Sequence, residues 1–250
     1  MSAIVCHVLL VETDDGLVLV DSGLGVTDFA EPARMGPARF MLRPVREDAR
    51  TALRQVEAMG HRREDVTHIV LTHMDFDHMG GIADFPAATI HTTADEYDWA
   101  VVSPGFVSKR RYSPKMWDHH PKMELHAGRG DEWKFGLTGT EVLPGITMIP
   151  MPGHTKGHAA VAVDAGDRGL LIHAGDAAFD ASTYTENSPL GTPLKKVGKI
   201  RAFEKVMAAD RKAIKGNHAT LGRLNREDGV TVFPAHDKRV FDDLAKLTTR

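Results

Sequence analysis

The chain has 250 residues, 42% of them hydrophobic, and a formal net charge of -3. That length and apolar content suffice for one large core in a layered fold, and the near-neutral charge excludes an electrostatic case for nucleic acid or an anionic membrane as partner. A single cysteine, Cys6, excludes an internal disulfide and a cysteine-rich zinc module.

The opening stretch, HVLLVETDDGLVLVDSG, has no basic n-region, and Glu12, Asp14 and Asp15 interrupt its apolar run. It reads as two strands joined at Thr13-Asp14-Asp15-Gly16 rather than as a signal peptide. No run of about 18 apolar residues follows, so no spanning helix is expected. The expectation is a cytoplasmic protein acting on a small molecule, and nothing in the sequence sets an oligomeric state. Ala49, Leu53, Val56 and Met59 share one helical face, with Gly60 as the stop. VTHIVLTH predicts a buried strand delivering His73, and AATIHT a further short strand. Thr93 with Glu96 three residues on is a capping-box pattern. Residues 103–136 mix Pro, Gly, basic and aromatic residues without a period, which predicts an inserted, partly helical surface excursion of the kind that forms lids. Two hairpins follow, one turning at Pro144-Gly145 and ending at His154, the other turning at Ala165 to Gly169 and ending at Asp176. A helical stretch near 196–215, a last strand in TVFPAHD and a helix over about 238–247 complete the chain. No repeat or second boundary interrupts it, so one domain is expected over 1–250.

The chemistry concentrates in THMDFDHMGG, where His73, Asp75, Asp77 and His78 crowd together behind an apolar strand. Burying four such side chains is costly unless they share a partner, and a metal ion is the obvious one. His154, Asp176 and His236 sit at three other strand ends, and neighbouring strands bring such ends close together. Imidazole and carboxylate without thiolate suit zinc, manganese or iron. The chain carries 14 histidines, about twice ordinary usage, so many must be incidental. His158 is read as support beneath the site and His173 as a core histidine. His119, His120 and His126 are read as exposed loop residues. His7, His61, His68, His91 and His218 receive no functional reading, and Cys6 is read as a small buried hydrophobe.

In order, the DSG turn at Asp21 to Gly23, THMDFDHMGG, PGHTKGH at Pro152 to His158, Gly175-Asp176 and AHD at Ala235 to Asp237 resemble the metallo-β-lactamase superfamily. VFPAHD and GDAAFDASTYTENSP look most like its N-acyl-homoserine lactonase branch. The resemblance implies an α/β fold, a four-layer αββα sandwich with two divalent metals, zinc foremost, at one sheet edge. Carried over by position, His73, Asp75 and His154 would hold one metal and Asp77, His78 and His236 the other, with Asp176 bridging both. A hydroxide bridging the metals would attack a lactone or ester-like carbonyl whose developing charge the metals stabilise. Asp176 would relay the proton to the leaving group, and Asp77 and Tyr184 join it as catalytic candidates.

Two positions depart from that family. Its usual pattern is His-x-His-x-Asp-His, and Asp75 stands where the second histidine belongs. Asp75 as a ligand, a weakened first site leaving one metal, and a dead site are the competing readings, and the other six ligands all being present argues against the last. A carboxylate there predicts a harder, more anionic site that admits manganese or iron and raises the pKa of bound water. The lactonase branch commonly has a tyrosine where this chain has Phe179, so Tyr184 is the nearest replacement donor and Phe179 a candidate pocket wall. Alternatives to a lactonase-like hydrolase are a thioesterase resembling glyoxalase II and a di-iron redox enzyme without the flavin domain of flavodiiron proteins. A β-lactamase fits the carboxylate-rich site less well, and a non-catalytic receptor would bind ligand without turnover.

Overall fold

The computed structural model describes residues 4–42 and 44–248. They form two compact units, one from Val8 to His126 and the other joining the residues up to His7 to those from Ala127 onward.

The first unit is a five-stranded sheet in the order β1 (Leu9–Thr13), β2 (Gly16–Val20), β3 (Val66–Val70), β4 (Thr89–Thr93) and β5 (Lys122–His126). The Asp14-Asp15 turn makes β1 and β2 antiparallel, as predicted, and β2 to β5 run parallel. Parallel neighbours need crossovers. Helices α1 (Val26–Ala30), α2 (Ala38–Leu42) and α3 (Ala52–Ala58) lie between β2 and β3. Helix α4 (Phe76–Met79) lies between β3 and β4, and α5 (Ala94–Tyr97) and α6 (Ser108–Arg111) between β4 and β5. Leu19, Ile69, Ile90 and Met123 are register partners across four strands. With Leu53, Val56, Phe76, Met79 and Trp99 from the crossovers they build one hydrophobic core. Because side chains alternate along a strand, Val20, Val70, His91 and Glu124, also register partners, face the other way.

The second unit carries β6 (Asp131–Trp133), β7 (Leu137–Leu143), β8 (Ile146–Pro150), β9 (Ala159–Asp164), β10 (Leu170–His173) and β11 (Val230–Phe233), neighbours in that order. All pairs are antiparallel except β10 with β11. Helices α7 (Gly198–Met207) and α8 (Arg211–Leu224) form the crossover between those two, and α9 (Lys238–Thr248) ends the chain. The stretch predicted as helical near 196–215 is thus two helices. Asp210 interrupts it and caps α8, accepting the Lys212 and Ala213 amides.

The expectation for residues 103–136 needs correction. They are not an inserted surface excursion, because they hold both β5 and β6, an edge strand of each sheet. Tyr112 and Met116 from the same stretch are buried in the first core. Its strands are short and polar, with Lys122, Glu124 and Leu125 exposed on an edge, so the alternation that marks a half-buried strand is absent from the sequence.

Two loops of the first unit meet without room to spare. Ser22 donates to the His78 carbonyl through both its amide (2.7 Å) and its hydroxyl (2.9 Å). The Gly81 amide donates to the Gly23 carbonyl at 3.0 Å. A Cβ on Gly81 would stand 2.6 Å from the Ser22 carbonyl oxygen, a backbone atom. Gly81→Ala is therefore expected to lower unfolding stability by about 2 kcal/mol through overpacking. Urea denaturation measures it, and an unchanged midpoint would mean that the loops part without cost.

Candidate metal centre

In the first unit the donors hang from the end of β3. Asp75 stands at the N-cap of α4 in extended conformation, and the single turn that follows carries half-buried Asp77 and buried His78. His73, Asp75 and His78 are at most 6% exposed. Asp21, in the turn after β2, takes the left-handed φ of 58° that aspartate tolerates better than most residues. Its carboxylate accepts the Thr72 amide (2.8 Å), the Thr72 hydroxyl (2.9 Å) and His78 Nδ1 (2.8 Å). Since the Thr72 hydroxyl proton is spent on Asp21, Thr72 Oγ1 serves His73 Nδ1, 3.0 Å away, as an acceptor. Both imidazoles therefore carry their proton on Nδ1 and a lone pair on Nε2. His73 Nε2 faces Asp75 Oδ2 at 3.2 Å.

Two further residues hold this loop. Buried Glu96 accepts the Met74 amide and the Tyr112 hydroxyl, both at 2.9 Å. Its predicted place in a capping box covers only part of its role: Thr93 Oγ1 does cap the Glu96 amide, while the Glu96 carboxylate reaches into the loop of His73 to His78. Arg111, from α6, grips Asp75 with two parallel bonds of 2.6 Å, Nε to Oδ1 and Nη2 to Oδ2. Both side chains are 9% exposed. Burial works against the guanidinium charge, and the Asp75 carboxylate more than offsets it, holding Arg111 above its ordinary pKa. The expectation of a more anionic site at Asp75 is thereby corrected. An aspartate with its own arginine carries the net charge of the neutral histidine it replaces. No signal in the sequence marks Arg111, which stands 36 positions from Asp75 in a stretch without a period.

In the second unit the two oxygens of one carboxylate serve two imidazoles. Asp176 Oδ2 lies 3.0 Å from His154 Nε2, and Oδ1 lies 3.1 Å from His236 Nε2. All three residues are at most 2% exposed. His236 Nδ1 lies 2.7 Å from the Val5 carbonyl, which can only accept, so the proton sits on Nδ1 and the lone pair of Nε2 points at the carboxylate. His158 acts as support beneath Asp176: its Nδ1 donates to the Met151 carbonyl at 3.1 Å, and its Nε2 accepts the Asp176 amide at 2.9 Å. Phe179 is 2% exposed, packed 4.8 Å edge-on from the His236 ring and 5.4 Å from that of His154. It holds the two rings rather than lining an open apolar wall.

Buried Asp180 fastens the segment after Asp176. It accepts the Val197 amide and the guanidinium groups of Arg201 and Arg239. Arg239 also bonds Asp237, next to His236, so one cation ties the loop of Asp176 to that of His236.

Tyr184 stands apart from these donors. Its buried hydroxyl donates to the Val232 carbonyl of β11 at 3.3 Å, and burial raises its pKa well above the usual phenol value. The loop does not fold back toward Asp176, which removes the predicted hydroxyl donor. His173 is a core histidine, bonded to the His7 carbonyl. Cys6 is half-buried rather than buried, with Sγ within 4.8 Å of a His236 ring nitrogen.

The donor chemistry fits a divalent cation. For His73 and His236, a lone-pair nitrogen facing a carboxylate oxygen at 3.1–3.2 Å is repulsive unless a proton or a metal ion neutralises the contact. Pinning the Nδ1 of His73, His78 and His236 to acceptors is the arrangement that presents Nε2 to a metal.

Comparison with known proteins agrees with this chemistry. A profile of the metallo-beta-lactamase superfamily matches residues 2–221. Probable metallo-hydrolases of Mycobacterium tuberculosis and Mycobacterium bovis are each 44% identical over 245 residues, spanning 96% of this chain and 76% of theirs. An N-acyl homoserine lactonase of Bacillus cereus is 22% identical over 233 residues, spanning 91% of this chain and 84% of its own. The fold is shared with a solved N-acyl homoserine lactone hydrolase that holds the product N-hexanoyl-L-homoserine at its catalytic metal centre. That structure aligns with a TM-score of 0.70 and 18% identity, covering 96% of this chain and 84% of the other.

Removing the guanidinium takes the neighbouring cation from a buried carboxylate. Arg111→Ala is expected to destabilise the chelator-treated protein by about 3 kcal/mol, read from its urea midpoint. A midpoint matching the parent protein would mean that the pair contributes nothing at Asp75.

Proposed function

Because the chain belongs to the metallo-β-lactamase superfamily, we propose that it is a metal-dependent hydrolase of lactones or related esters. In this reading the two donor sets act together: His73, Asp75 and His154 hold one metal, Asp77, His78 and His236 the other, and Asp176 both. The observation that carries the reading is the imidazole lone pairs directed at carboxylate oxygens, an arrangement that asks for cations. Zinc leads, because the Asp75–Arg111 pair keeps the charge of an all-histidine first site; manganese and iron follow through the harder oxygen donor. A bound metal pair supplies an activated water and a Lewis acid for the carbonyl oxygen.

The chain's own residues do the rest. Asp176, whose backbone amide donates to His158 Nε2, would carry the proton to the departing alkoxide. Asp21 and Thr72 fix the tautomers of His78 and His73, so these two donors need no reorganisation. With Tyr184 committed to the Val232 carbonyl and Phe179 in place of a tyrosine, no hydroxyl from this segment steadies the oxyanion. The lactone preference is supported by the lactonase relatives, at low identity, and by a fold neighbour holding an opened lactone.

Metal quantification paired with a hydrolysis panel of lactones, aryl esters, thioesters and β-lactams tests the reading. Two metals per chain and the highest kcat/KM on lactones or esters are expected. A thioester preference, or oxygen consumption without hydrolysis, would overturn the substrate class. Asp176→Asn should lower kcat on the order of 100-fold or more together with metal content. Asp75→His alone should lose metal, because it strands the Arg111 cation beside an imidazole. Asp75→His with Arg111→Met should regain it. If both forms keep metal and rate equally, Asp75 is no ligand.

A further inference from the structure

On the sheet face opposite the Leu19–Ile69–Ile90–Met123 core, three histidines step diagonally across β3, β4 and β5. His68 pairs in register with Thr89, two residues before His91, and His91 pairs with Glu124, two residues before His126. His68 Nδ1 lies 2.8 Å from His91 Nε2, and His91 Nδ1 lies 2.9 Å from His126 Nε2. The rings of His91 and His126 are nearly parallel, with centroids 5.2 Å apart. None of these residues belongs to the donor sets described above.

We propose that His91, Glu124 and His126 bind a divalent transition-metal ion, with His68 orienting His91. Each of the three offers a ligand atom, and those atoms lie mutually within 4.8 Å. Two imidazoles and a carboxylate suit zinc, nickel or copper, with copper tightest for nitrogen donors. The burial gradient suits an entry path. His91 is an anchor at 1% exposure, His126 is half-buried, and Glu124 on the edge strand is open to solvent. His91 uses both ring nitrogens. With its proton on Nε2, donated to His68 Nδ1, Nδ1 turns its lone pair toward the ion, the same outer bond that orients metal-bound histidine elsewhere. The distance between His91 Nδ1 and His126 Nε2 need widen only by a few tenths of an ångström, to about 3.3 Å, for tetrahedral ligation at about 2.0 Å. Burial also pushes the His91 pKa down to about 4 and lowers those of His68 and His126, so protons do not compete for the lone pairs at neutral pH.

The test is a Cu2+ titration followed by equilibrium dialysis and electron paramagnetic resonance, on the full-length protein and on His126→Gln, Glu124→Gln and Asp176→Asn. Both glutamine variants change side chains on an edge strand, where folding tolerates substitution. The parent protein should bind one equivalent beyond the main centre, with a nitrogen-ligated copper signal. His126→Gln should weaken that equivalent at least tenfold and simplify the nitrogen splitting, with the hydrolytic rate unchanged. Asp176→Asn, which disturbs the main centre, should keep it. Absence of the extra equivalent in the parent protein, its persistence in both glutamine variants, or its loss in Asp176→Asn would each overturn the proposal. Failure of the hydrolase reading would appear separately, in the hydrolysis panel.

Discussion

A neutral imidazole presents a proton on one nitrogen and a lone pair on the other, and whichever nitrogen meets an acceptor must hold the proton. That rule governs the donor set of each unit. Asp21, Thr72 and the Val5 carbonyl take the Nδ1 protons of His78, His73 and His236. Nε2 is thereby left as an electron-pair donor, and in His73 and His236 it stands beside carboxylates that are donors themselves. Much of the surrounding architecture serves this polarity. The left-handed Asp21, the close approach at Gly81 and the reach of Glu96 into the loop at Met74 hold the first set. His158 and the Asp180–Arg239–Asp237 network hold the second.

In the proposed reading, Asp75 with Arg111 is how the site absorbs a change of ligand type. A carboxylate in place of imidazole adds a negative charge, and in a buried setting that charge is costly without a partner. The guanidinium supplies one in planar, two-bond geometry. The metal preference then turns on the hardness of an oxygen donor rather than on excess charge. Phe179 shows the complementary case, in which a packing contact stands where a hydroxyl was expected. Its ring braces His154 and His236.

The histidine row on β3, β4 and β5 makes a different use of the same side chain. A strand passes every second residue to one face, so histidines far apart in the chain meet wherever register allows. On the face of His91 the sheet buries an imidazole at 1% exposure between Val70 and Glu124. Its hydrogen bonds to two other imidazoles keep that burial from being prohibitive.

Much was legible in the sequence. The first hairpin, the strand leading to His73, the turns at Pro144-Gly145 and Ala165 to Gly169, and the grouping of His73, Asp75, Asp77 and His78 follow from local rules, because turn chemistry and alternation act between near neighbours. His158 as support for Asp176 was legible from its motif. What tertiary structure decided depends on contacts between residues far apart in the chain. It paired Arg111 with Asp75, placed an edge strand of each sheet within the stretch 103–136, bound Tyr184 to a β11 carbonyl, and joined His68, His91 and His126 into one row. Sequence periodicity reports which way a side chain faces, whereas strand register and loop packing choose its partner. Charge balance and ligand tautomer, the properties on which the chemistry rests, are set by partners.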